Sequence, residues 1–256
     1  MTEKEVEDLC RMVRLGVDLS RPKYNYHPKT KEELKNLVEK LIEERGRKAN
    51  LNDIDVSQIE DMSLMFGWSN FNGDISKWNV SRVKRMDRMF TYSQFNGDIS
   101  NWDVSGVKSM EGMFEGSRFN GDISNWNVSG VEDMSYAFYG SSRFNKDISK
   151  WNVSRVMDMR GMFAYSQFNE DISSWDVSGV KDMRHMFEGS QFNGDISNWD
   201  VSRVEWMEWM FRCSKFNSDI SRWNVSSVKN MNWMFLGSQF NGDISKWAKK
   251  PTDYYY

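Results

Sequence analysis

Cysteine, proline and histidine are scarce in these 256 residues: two, three and two respectively. With only Cys10 and Cys213 present, a disulfide framework and a thiolate zinc site are both excluded. Basic excess is missing as well, since the net charge is −3 at pH 7. Neutralising nucleic-acid phosphates needs a clustered basic surface, so no nucleic-acid partner is expected. No stretch approaches the roughly 20 apolar residues that span a membrane. The opening "MTEKEVEDLCRMVRLGVDLS" carries acidic residues where a signal peptide carries basic ones, and no apolar run follows. The chain as read has no export signal and is expected in the cytoplasm.

What is abundant is organised. Trp recurs at 78, 102, 126, 151, 175, 199, 223 and 247, in steps of 24 with a single step of 25. All 16 Phe fall in two columns, one from Phe71 to Phe240 and one from Phe66 to Phe235. Met supplies two further columns beginning at Met62 and Met65, with Ala137 the exception in the second. Self-similarity at a fixed period of this length marks a repeat architecture.

Two periodicities alternate within a unit. "VSGVKSMEGMF" places Val107, Met110, Met113 and Phe114 on one face of a short helix, with Ser105 as its cap and Gly116 permitting a left-handed exit. "RFNGDISNW" is extended in character, anchored by Phe119 and Ile123. One short parallel strand and one short helix per unit predict a solenoid of about eight 24-residue units, an α+β repeat. Stacked strands would place like residues in ladders about 4.8 Å apart. The Asn72 and Asn96 column is expected to satisfy loop backbone groups from inside. The Asp column (Asp74, Asp98, Asp122, Asp147, Asp171, Asp195, Asp219, Asp243) must accept hydrogen bonds or face water.

The first fifty residues do not repeat. Thr2 and Glu5 form a capping box for one helix, with Val6, Leu9, Cys10 and Val13 on its face. Thr30 and Glu33 cap a second, whose apolar stripe is Leu34, Leu37, Val38, Leu41 and Ile42, ended by Gly46. An open solenoid end exposes core and needs a cap. The expected organisation is an N-terminal helical cap over 1–49, a repeat solenoid over 50–247 and a tail over 248–256.

"FNGDISNWDVSGVKSMEGMF" resembles the repeat of BspA-like bacterial surface proteins and the related lipoprotein repeats of mycoplasmas. The string MF-x-x-S-x-FN-x-DIS-x-W-[DN]-VS carries the resemblance over roughly residues 50 to 247. It implies a leucine-rich-repeat-like solenoid, a role in adhesion or protein binding, and a place at the bacterial cell surface if a leader has been removed.

Catalysis needs a unique constellation of unlike residues, whereas a repeat supplies like ones at even spacing, and His27 and His185 stand far apart. No enzyme activity, cofactor or metal is expected. Rows of Asp can ligate calcium, but the Gly-rich nonapeptide of calcium solenoids is absent, so backbone capping is the reading taken. Trp ladders can stack sugar rings; here Trp accompanies Ile and Val in every rung, which assigns it to core or shelf packing.

Function is therefore sought where the units differ. The residue between the two Met columns runs Leu64, Arg88, Gly112, Tyr136, Gly161, His185, Trp209, Trp233, and Trp206 lies just before Trp209. Tyr136, His185, Trp206, Trp209 and Trp233 are candidates for an exposed partner-binding strip on the helix side, since exposed Trp clusters are enriched at binding hot spots. Shielding of the C-terminal end is the alternative use of these rings. A second candidate face is the column before each repeat Trp: Lys77, Asn101, Asn125, Lys150, Ser174, Asn198, Arg222 and Lys246, with no acidic member. The sequence thus reads as a monomeric, non-enzymatic scaffold for protein–protein interaction. A carbohydrate-binding adhesion module using Trp and Asn/Asp ladders, and an intracellular inhibitor or effector, are the alternatives.

Overall fold

The computed structural model describes residues 24–252. The expected helix around Val6 and Leu9 lies outside them.

Helix α1, Lys31–Arg45, forms where the sequence places it. The Thr30 hydroxyl accepts the Glu33 N–H, and the Glu33 carboxylate accepts the Lys29 N–H at 2.7 Å, quieting two of the free N–H groups that open a helix. Gly46, at φ 83°, donates back to the Ile42 carbonyl and ends it. Leu34, Val38 and Leu41 are buried in the main core, and Leu37 and Ile42 pack at its margin. Lys31 pairs with Asp61, and Arg45 binds Asp53 and the Asn50 carbonyl. Ahead of the helix, Tyr26 bridges to Ile54 in parallel.

From Asn50 onward the chain coils with a 24-residue period, and a column of isolated parallel bridges runs from rung to rung: Asp61 to Arg85, Arg85 to Ser109, and so on to Trp206 and Asn230. The Phe, Ile, Trp, Val and Met columns all point inward and form one continuous core. Phe66, Phe90, Phe114 and Phe138 stack at 5.5–5.6 Å between ring centres. Phe71, Phe95, Phe119 and Phe144 stack at 6.2–6.4 Å.

The helix expected in each unit is absent, and so is an extended strand: among the described residues the repeats contain only turns and isolated bridges. The Phe spacings give the reason. An α-helix with its side chains is about 10 Å wide, and it fits between rungs only if they fan apart on one side, as leucine-rich repeats do. Here the Phe66 column, which lies on this very segment, keeps only 5.5–5.6 Å from rung to rung, so no such room exists. "MSLMFGWS" instead folds as three successive β-turns, in which Met65, Gly67 and Ser69 donate to Met62, Leu64 and Phe66. The alternate N–H groups, of Met62, Leu64, Phe66 and Trp68, all point forward to carbonyls of Arg85, Asp87, Met89 and Thr91 in the next rung. Every N–H on this face is thereby used.

Each repeat Trp is buried, 3–5 % exposed, and its indole N–H donates to a carbonyl one rung back. Trp78 meets Leu51, Trp102 meets Ile75, and Trp247 meets Ile220. Sugar stacking on these rings is excluded by that burial. The Asn column lies outside rather than inside: the Asn96 N–H donates to Asn72 Oδ1 and the Asn120 N–H to Asn96 Oδ1.

The Asp column settles as a row of tight turns. Asp74 Oδ1 accepts the Ser76 N–H, and the same bond recurs from Asp98–Ser100 to Asp243–Ser245. Bonds from the serine backbone and hydroxyl hold the carboxyls of Asp98, Asp122, Asp171, Asp195, Asp219 and Asp243 below the ordinary value. A group whose folded pKa is depressed contributes stability above its unfolded pKa, about 3.9 for Asp, and loses it as pH falls through the folded value. Urea midpoints should therefore be flat near neutrality and fall steadily below about pH 4. A midpoint indifferent to acid would mean these turns carry no charge-dependent stability.

No helix among the described residues is long and apolar enough to cross a membrane.

Candidate functional site

Two columns on the turn face carry a backbone demand that the sequence does not announce. The residue between the Met columns has φ between 53° and 61° in every rung, from Leu64 to Trp233. Four residues later a second column, Trp68, Tyr92, Gly116, Gly140, Tyr165, Gly189, Cys213 and Gly237, is left-handed too, with φ 50–68°. A left-handed conformation costs a non-glycine residue about 1–2 kcal/mol, so Gly is the cheapest occupant. Gly stands at Gly112 and Gly161 in the first column and at Gly116, Gly140, Gly189 and Gly237 in the second. At six other positions stands a Trp or Tyr, and at one His185.

The rings lie along the array and rest on the next rung. A Cβ on Gly116 would come within 2.4 Å of the Tyr92 ring, one on Gly161 within 2.6 Å of Tyr136, and one on Gly189 within 2.6 Å of Tyr165. Tyrosine in one rung thus requires glycine in the next.

Toward the C-terminal half these side chains join into one strip. Tyr136 meets Tyr139 edge-on at 5.9 Å, and Tyr139 meets Tyr165 at 5.5 Å. The Tyr165 hydroxyl donates to Glu188 at 2.6 Å, and His185 Nδ1 lies 2.6 Å from the same carboxylate. The His185 ring then meets Trp209 at 4.6 Å, and Trp209 meets Trp233 at 5.8 Å. Arg212 binds Glu188 at 2.5 Å while its guanidinium lies 5.5 Å from the Trp209 ring centre. Burial pushes the Glu188 carboxyl up, but hydrogen bonds from Tyr165, His185 and Arg212 outweigh it and leave it below the ordinary value. Burial, with the bond to Glu188, pushes the Tyr165 hydroxyl up to about 12. The carboxylate therefore stays charged and fixes three neighbours at once. At the other end Trp68 stacks on Tyr92 at 6.3 Å, and the Tyr92 hydroxyl reaches Glu115.

Four of the five residues expected in the strip, Tyr136, His185, Trp209 and Trp233, lie along it. Trp206 does not: it stands in the bridge column, between Arg184 at 5.8 Å and Lys229 at 5.7 Å, and no ring contact joins it to Trp209. The strip is also less open than expected. Trp233 and Tyr165 are 43 % and 45 % exposed, whereas Tyr136, His185 and Trp209 are half-buried because each lies against a neighbouring rung. Trp68, Tyr92, Tyr139, Tyr165, Glu188 and Arg212 escaped the sequence reading. The signal for three of them is the second variable column, which mixes Trp, Tyr and Cys with Gly just before the invariant Ser.

The second candidate face is an exposed row, as Lys77, Asn101, Asn125, Lys150, Ser174, Asn198, Arg222 and Lys246 all face solvent. It is not uniformly basic. The exposed Asp column runs three residues before it, and Asp103, Asp176 and Asp200 stand two residues after it, so carboxylates border the cations throughout. Among the described residues no group of three or more His, Cys, Asp or Glu could hold a metal ion.

A family model described as "Mycoplasma protein of unknown function, DUF285" matches the chain over residues 32–141, 95–190, 116–212 and 164–254. No curated protein and no solved structure matches it.

Proposed function

The chain belongs to this DUF285 family, and from that premise we propose that it is a non-enzymatic repeat scaffold that binds another protein through the aromatic strip. One observation carries the reading: rings occupy left-handed positions where the same fold accepts glycine in neighbouring rungs. The strain is tolerated for what the side chain does outside the backbone. Rings fixed before binding lose little freedom on contact, which favours affinity, and Trp, Tyr and Arg are the residues that dominate binding hot spots. Trp233, Trp209, Arg212 and Tyr165 supply that chemistry in one strip. The resemblance of the repeat string to BspA-like surface repeats is what suggests an adhesion-like setting for the same contact.

The test is a double variant, Trp209→Ala with Trp233→Ala, measured against a partner captured from the native host. Affinity should fall at least about thirtyfold, taking 1.4 kcal/mol per decade and about 2 kcal/mol for one hot-spot ring. The melting temperature should hold. If these rings instead shield the array's end, melting falls and affinity is unchanged.

A further inference from the structure

A different corner of the rung carries a second surface. Where "SQFN" turns toward the Asp column, a groove of 280 Å³ is lined by Arg47, Lys48, Arg118 and Arg143 together with Asn72 and Asn96. Asn70 and Gln94 complete it. No carboxylate lines it, and no ion pair joins the four cations to one among the described residues. This is unusual in a chain whose net charge is −3.

The ladder gives the groove a direction. Asn72 Oδ1 is occupied by the Asn96 N–H at 2.8 Å, and Asn96 Oδ1 by the Asn120 N–H at 2.7 Å. Both amides therefore spend one oxygen lone pair inside the ladder and keep their Nδ2 donors free. The groove wall thus offers cations at its two ends and amide donors between them. It runs across five successive rungs, roughly 20 Å at strand spacing. The pattern stops at Asn145, whose Nδ2 donates to Glu170 and so brings a carboxylate into the row.

We propose that this groove binds an acidic polysaccharide. Such a chain brings hydroxyl and ring oxygens along its whole length, with carboxylates or sulfates at intervals. All of these can accept from the amide and guanidinium donors, and Arg binds such anions bidentately. A peptide fits less well, because its backbone N–H groups can only donate, whereas sugar hydroxyls reorient to accept from the guanidinium and amide donors of the groove. Single-stranded nucleic acid needs aromatic platforms for its bases, and no aromatic side chain lines the groove. None of the aromatic strip's rings lines the groove, so its binding is tested apart from the protein-binding role.

The experiment is calorimetric titration of the full chain with a heparin oligosaccharide, beside neutral dextran, polyglutamate and a single-stranded DNA oligomer. Heparin should bind, dextran should not, and polyglutamate and DNA should bind at least tenfold more weakly. Arg118→Glu with Arg143→Glu, both exposed, should weaken heparin at least about tenfold. Asn96→Asp keeps the acceptor for the Asn120 N–H but replaces the free donor by a charge, and should weaken heparin similarly with unchanged melting. No heparin binding, binding indifferent to the Arg variants, or equal affinity for polyglutamate or DNA would overturn the assignment.

Discussion

Trp151→Ala is expected to lower the unfolding free energy by about 3–5 kcal/mol, the range for deleting a large buried aromatic. The side chain is 4 % exposed, stacks on Trp175 at 6.5 Å and lies 6.2 Å from the Phe138 ring centre. Its indole N–H also donates to the Ile123 carbonyl at 3.0 Å. Trp151→Phe separates the two contributions. It keeps much of the ring but removes one of the two bonds to that carbonyl, which still accepts the Trp126 N–H, at a cost of about 0.5–1.5 kcal/mol. Because rungs interact only with neighbours, a defect at the fourth Trp should also split the unfolding transition into two. Chemical denaturation followed by tryptophan fluorescence measures both effects. A Phe variant as stable as the parent would show that the indole bond contributes nothing.

Removal of residues 1–46 should make the chain self-associate more strongly than the parent. Leu34, Val38 and Leu41 of α1 are 0–1 % exposed against the core, so their loss uncovers apolar surface at the first rung. The same cut releases the bridge between Tyr26 and Ile54 and bares the edge next to it. Exposed edges of this kind recruit further chains. Burying three aliphatic side chains contributes about 5–9 kcal/mol, a large share of any domain's stability. Light scattering and melting of the truncated chain are the measurements. A monomer with unchanged melting would remove the capping role from α1.

Most of the interior could be read from the sequence, because a residue repeated without change in every rung is held by contacts that also repeat. The Phe, Ile, Trp and Val columns are all buried, and Thr30, Glu33 and Gly46 bound α1 as their chemistry requires. The local path of the turn face could not be read so easily. Apolar residues at i, i+3 and i+7, such as Val107, Met110 and Phe114, satisfy a helix and a train of β-turns alike. What distinguishes them is the spacing of neighbouring rungs, a property of the stack rather than of any unit. The glycines did hold a clue: Gly112 and Gly161 share a column with Tyr136 and Trp209, and a column mixing Gly with large side chains marks a left-handed backbone. Trp206 was misplaced for the same reason, since a helix would have set it one turn from Trp209. Glu188 was invisible as a hub because its three partners come from residues 165, 185 and 212.

The central claim is that the rings at left-handed positions serve a partner rather than the fold. Glycine in place of Trp209 and Trp233 tests it most directly, with melting temperature and partner affinity measured on the same double variant. Glycine relieves a left-handed strain of about 1–2 kcal/mol per residue, which offsets the lost ring contacts. The account predicts a melting temperature equal to or above that of the parent, together with affinity reduced at least as far as in the Ala variant. A lower melting temperature with affinity intact would contradict it, and would make these rings part of the scaffold.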